Sequence, residues 1–145
     1  MDIPPVSTPI VCDMTASSDT PQQRLDEYRR LFGQYLIGRE KTAEGIRFRL
    51  RAEPGLEDQV RDLAAREKAC CAFFAFDITI DGEHIIWDCA VSDNDTARAL
   101  LEEYYLLPQT APRSLDELEK RLAPKGLHLI TEPGGTVHQI AHNPT

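Results

Sequence analysis

The sequence predicts an α+β fold, and three observations carry that prediction. Ile46, Phe48 and Leu50 alternate with Arg47, Arg49 and Arg51, as a half-buried strand requires. Two further alternating runs flank Asp81-Gly82, a two-residue hairpin signal. Between and around these strands, apolar residues recur at helical three- and four-residue spacing. Together they give β-α-β-β-α over residues 45–107: a three-stranded antiparallel sheet with an N-terminal helix, followed by a C-terminal helix plus hairpin.

In chain order, residues 1–19 are rich in Pro, Ser and Thr and read as an extended, flexible arm that carries Cys12. Thr20-Pro21-Gln22-Gln23 combines an N-cap, a proline at the first helical position and a capping-box glutamine. Leu25, Tyr28, Leu31, Phe32, Tyr35 and Leu36 then supply the apolar stripe of a helix. After the strand that Gly45 opens, Pro54-Gly55 turns the chain into a second helix with Leu56, Val60, Leu63, Ala64 and Cys71 as its buried positions and the pair Cys70-Cys71 in its last turn.

Phe74, Phe76, Ile78 and Ile80 form one hairpin strand, and Ile85, Trp87, Cys89 and Val91 the other. Asp93-Asn94-Asp95 caps a third helix bearing Ala97, Leu100, Leu101 and Tyr104. Pro108 to Pro112 reads as a linker, Ser114-Leu115-Asp116-Glu117 as the capping box of a short helix, and 127–132 with 136–142 as a terminal hairpin. Residues 1–107 are thus expected to be one core domain, and 108–145 an extension without a core of its own. A ferredoxin-like plan would need a fourth strand that is not evident before Pro108.

A chain of 145 residues is long enough to bury a core without a metal or disulfide staple. Any metal is therefore expected to serve function. The net charge of −8 sets a field that repels phosphate backbones and anionic lipid, so neither nucleic acid nor membrane is an expected partner. The basic residues at 47, 49 and 51 fit the solvated face of a strand. With no signal peptide and no apolar run near the ~20 residues of a membrane span, the expected location is cytoplasmic. Cys12, Cys70, Cys71 and Cys89 would then be kept as thiols for metals, catalysis or redox sensing.

Glu67 lies one helical turn before both Cys70 and Cys71, on a stripe that is otherwise apolar. Burying that carboxylate alone would cost several kcal/mol, so it must ligate a cation, meet an arginine or hydrogen-bond a thiol. Adjacent helical cysteines point about 100° apart, which disfavours a Cys70–Cys71 disulfide. At a helix end, however, both sulfurs can turn toward one soft cation, with Cys12 as third ligand and Asp13 beside it.

Three thiolates suit Hg(II), As(III), Cu(I) or Zn(II), and no organic cofactor is indicated. The rival reading is that free cysteines are simply small core residues, which fits Cys89 between Trp87 and Val91. His128, His138 and His142 form a weaker cluster without an acidic or cysteine companion, and His84 sits beside the hairpin turn.

Cys12, Gly45-Ile46-Arg47-Phe48 and the run Glu67-Lys68-Ala69-Cys70-Cys71-Ala72-Phe73 resemble a group of small bacterial proteins with an early cysteine and a later E-x-x-C-C-x-F signature. The similarity spans roughly residues 10–107. That group is associated with heavy-metal resistance, which implies a thiol site made by Cys12, Cys70 and Cys71. Ala72 stands where the pattern usually has proline, and 108–145 lies outside the resemblance, as a lid or a homodimer contact would.

Three functions follow as expectations. The first is binding of a soft metal or metalloid ion by Cys12, Cys70 and Cys71, with Glu67 adding a ligand. The second is an enzyme resembling organomercurial lyases, with Asp13 or Glu67 as proton donor. The third is a redox sensor in which Cys70 or Cys71 pairs with Cys12.

Overall fold

The computed structural model describes residues 1–13, 18–131 and 137–142, with residues 13, 128–131 and 137–142 by backbone alone. Among them, the order is β1 (Val11–Asp13), α1 (Pro21–Tyr35), β2 (Leu36–Lys41), β3 (Ile46–Arg51), α2 (Leu56–Cys70), β4 (Phe74–Asp81), β5 (His84–Val91), α3 (Asp95–Thr110), α4 (Leu115–Leu122), β6 (Leu127–Thr131) and β7 (Val137–His142). The α+β class is as the sequence indicates.

The main sheet has four antiparallel strands in the order β2-β3-β5-β4, one more than expected. The added strand is β2, which follows α1 without a loop. Its register slips between Leu36 and Gly38, and no alternation of core and solvent residues runs through the strand. With Ile37 exposed and no period of two to detect, the strand was invisible to patterning. In the resulting β-β-α-β-β-α path, α2 crosses from β3 to β4 and leaves β5 paired between them, a split β-α-β unit of the ferredoxin-like kind whose fourth strand, β2, comes from before it in the sequence.

Cys12 does not sit on a flexible arm. Residues 11–13 form the edge of a second, three-stranded sheet, β1-β7-β6, in which Cys12 lies opposite Ile140. The chain's beginning and its terminal hairpin are therefore joined. A three-residue strand whose partner lies more than a hundred residues away leaves no local pattern.

Pro108 is likewise not in a linker. It lies inside α3, which ends only when Ala111 adopts a left-handed conformation at φ 39° and donates its N–H to the Leu107 carbonyl. The missing proline N–H costs one intrahelical bond in the last turn, where packing of Tyr104, Tyr105 and Leu107 on the core sustains the helix.

The core lies between the inner face of the four-stranded sheet and helices α1, α2 and α3. Ile46, Phe48 and Leu50 are buried on β3 while Arg47, Arg49 and Arg51 point outward and pair with Asp88, Glu40 and Glu53. An aromatic cluster fills the centre: Phe32 stands 4.8 Å from Phe48, Tyr104 lies 5.3 Å from Phe74, and fully buried Trp87 touches Tyr28, Phe32 and Phe48. Each such ring contributes about 2–3 kcal/mol through burial. Cys89 is also fully buried in this layer, as packing alone would have it. Gly45 passes so close to the Cys89 carbonyl oxygen that a Cβ would collide with it.

Candidate thiol site

The site is assembled where α1, α2, α3 and β1 meet. Helix α1 starts as its sequence dictates: the Thr20 side chain accepts the Gln23 N–H, the Gln23 side chain accepts the Thr20 N–H, and Pro21 occupies the first turn. That fixed start places Arg24 and Tyr28, four residues apart, on the face toward α2.

Arg24 is 4% exposed, and among the described residues its guanidinium meets Asp19, Glu67 and Cys70. Two nitrogens donate to the Asp19 carboxylate at 2.6 and 2.9 Å. A third contact, from Nη1, reaches Glu67 Oε2 at 2.7 Å, and Nη2 donates to Cys70 Sγ at 3.9 Å. Burial opposes the charge on Arg24, but the Asp19 hydrogen bond and the Glu67 charge outweigh it and raise its pKa.

Of the three partners that the Glu67 carboxylate might have sought, it takes the arginine. Its other oxygen accepts from the Tyr28 hydroxyl at 2.9 Å. Because Tyr28 has one proton and spends it on Glu67, the 2.5 Å contact between Tyr28 and Tyr104 hydroxyls has Tyr104 as donor. Burial pushes the Glu67 pKa above its ordinary value, although Arg24 and Tyr28 pull the other way. Burial also raises both phenols, which stay neutral donors.

Next to these hydrogen bonds, Arg66 bridges Asp19 and Glu27 at 2.8–2.9 Å, so α1 and α2 are laced by alternating charges.

Helix α2 ends at the cysteine pair as expected. Cys70 is its last residue, and Cys71 leaves helical geometry with φ −125° and ψ 80° while its N–H still bonds the Glu67 carbonyl at 2.8 Å. Lys68 reaches around this end and donates to the carbonyls of Ala72 and Phe74 at 2.7 and 2.6 Å. The turn puts the two sulfurs to different uses. Cys71 forms a disulfide with Cys12, Cα atoms 4.3 Å apart across 59 residues of sequence. Cys70 remains a thiol, 3% exposed, with its pKa raised by burial and lowered less strongly by Arg24.

The sequence-derived site residues thus converge: Cys12, Cys71 and Cys70 share one buried cluster, and Glu67 joins Cys70 through Arg24. The Asp13 side chain and those of His128, His138 and His142 lie outside the described residues. With Cys12 and Cys71 bonded to each other, no group of three or more Cys, His, Asp and Glu among the described residues is arranged to hold a metal ion.

Arg24 is a site residue absent from the sequence-derived set, and its position carries a signal. It lies four and seven residues before Tyr28 and Leu31, on the apolar stripe of α1, just as Glu67 lies on that of α2. Opposite charges on two apolar helix faces point to each other.

Comparison of the chain with protein-family models, with curated proteins and with solved structures gives no match in any of the three. Among the described residues, no helix is long and apolar enough to cross a membrane.

Proposed function

We propose that the chain is a thiol redox protein whose Cys12 and Cys71 interconvert between dithiol and disulfide. The carrying observation is that two cysteines 59 residues apart are brought into one bond, between a strand edge and a helix end. Oxidation by a peroxide proceeds through a sulfenic acid on one cysteine. Forming it releases one peroxide oxygen as water or alcohol; the other thiol then attacks the sulfenic sulfur, the S–O bond breaks, and the second oxygen leaves as water. An external thiol pair returns the dithiol. Mass spectrometric mapping after mild peroxide tests this: a Cys12–Cys71 crosslink reversed by thiols is expected, and four free thiols would overturn it.

A second reading concerns the reduced state, and the position of Cys70 next to Cys71 favours it. Opening the disulfide leaves three thiols in one cluster, the donor set of a soft ion such as Hg(II), As(III), Cu(I) or Zn(II). Glu67, joined to Cys70 through Arg24, is the carboxylate placed to accept a proton as a thiol there ionises on binding the ion. Titration of the reduced protein with each ion, following thiolate–metal absorption, distinguishes the readings. Binding lost in Cys12→Ser and Cys70→Ser supports the second; weak, cysteine-independent binding removes it.

A further inference from the structure

The bond between Cys12 and Cys71 also links two sheets. β1 belongs to the three-stranded sheet built from the two ends of the chain, whereas Cys71 sits at the hinge between α2 and β4 of the main sheet. The small sheet has a second attachment. Helix α4 and the turn after it are fastened to α3, with Arg121 and Lys125 on Glu103 at 2.9 and 3.0 Å and Leu122 and Leu127 each 1% exposed. One attachment is apolar and ionic, and indifferent to redox state. The other is covalent and opened by reduction.

What remains at the covalent end once the bond opens is the pairing of β1 with β7 and the packing of Ile10 and Cys12 on the core. β1 is three residues long, pairs with β7 at Val11–Ala141, Cys12–Ile140 and Asp13–Gln139, and forms an outer strand of its sheet. So short an edge strand lies at the weak end of local stability, where opening occurs without global unfolding.

We propose that the Cys12–Cys71 bond is a redox latch on β1. Closed, it pins β1 against α2 and so covers the β7 edge. Opened, it lets β1 leave β7 while α4 keeps the rest of the hairpin attached, and both sulfurs, now 6% and 4% exposed, become accessible. The opening step consumes two external thiols: the disulfide becomes two cysteine thiols and the reductant becomes a disulfide. The latch rests on the redox reading above, since it needs that bond to be reversible.

Hydrogen exchange followed by mass spectrometry on the full chain, oxidised and reduced, tests it, with thiol counting on the same samples. On reduction, amides of 11–13 and 137–142 are expected to exchange about tenfold faster or more, while 46–51 and 84–91 stay unchanged. Cys12→Ser and Cys71→Ser should reproduce the reduced pattern without reductant. Unchanged exchange at 11–13 and 137–142 with the bond counted as open overturns the latch and leaves the redox reading standing. A uniform acceleration along the chain also overturns it. Failure of the bond to form under mild oxidant overturns both.

Discussion

Replacing Arg24 with Leu removes a cation and leaves two carboxylates facing a buried site. Removing one partner of a buried ion pair costs about 3–5 kcal/mol. Here the cost is smaller for two reasons. The Glu67 and Asp19 side chains keep 14% and 16% exposure, and Tyr28 still donates to Glu67. Glu67 can also escape by taking up a proton, since burial already raises its pKa and loss of Arg24 raises it further.

We therefore expect a loss of about 2–4 kcal/mol at pH 7, which for a chain of this size lowers Tm by roughly 5–15 °C. The sign with pH follows. A carboxyl whose folded pKa lies above its unfolded value loses stability as pH rises between the two, so the variant's deficit should grow as pH rises past the wild-type Glu67 pKa toward the variant's higher one. Urea denaturation followed by the fluorescence of Trp87 measures it, with Glu67→Gln as the second arm of a double-mutant cycle. The cost of Arg24→Leu should shrink by about 1 kcal/mol or more when Glu67 is already neutral. A loss below about 1 kcal/mol, or equal losses in both backgrounds, would refute the view that Arg24 is there to compensate Glu67.

Three further outcomes follow. Tyr28→Phe leaves the Tyr104 hydroxyl without its acceptor and one Glu67 oxygen without its donor, Arg24 still holding the other, and should cost about 1–3 kcal/mol in the same assay; Tyr104→Phe, which removes only the outer donor, should cost less. Burial would raise Glu103, but Arg121 and Lys125 outweigh it and hold its carboxyl below the ordinary 4.5. Its contribution is thus present above that value and lost as pH falls through the folded pKa, and Glu103→Gln should flatten the acid limb of the stability profile at a neutral-pH cost of about 1 kcal/mol. Gly45→Ala should lower Tm by driving a methyl into the Cys89 carbonyl, at about 1–3 kcal/mol, whereas the same change at Gly33, where a Cβ meets nothing within 4 Å, should not.

The parts of this protein that were legible in its sequence are those whose cause is local. The capping box at Thr20, the alternation through β3, the hairpin at Asp81-Gly82 and the end of α2 at the cysteine pair each follow from residues within a few positions of one another. Glu67 was legible as an anomaly, because a carboxylate on an apolar stripe demands a partner whatever the fold. β2, β1 and the passage of α3 through Pro108 were not, since a bulge erased the period of one, three residues cannot show a period in another, and core packing overrode a helix breaker in the third.

The partner of each thiol was decided by tertiary structure alone. From sequence, Cys12, Cys70 and Cys71 were equivalent candidates at one site. The fold makes them unequal: an antiparallel strand supplied by the far end of the chain delivers Cys12 to Cys71, and Arg24 from α1 claims Cys70. The physical reason is range. Residue chemistry and short spacing announce that a group needs a partner, but which group arrives depends on contacts that no neighbouring residue encodes.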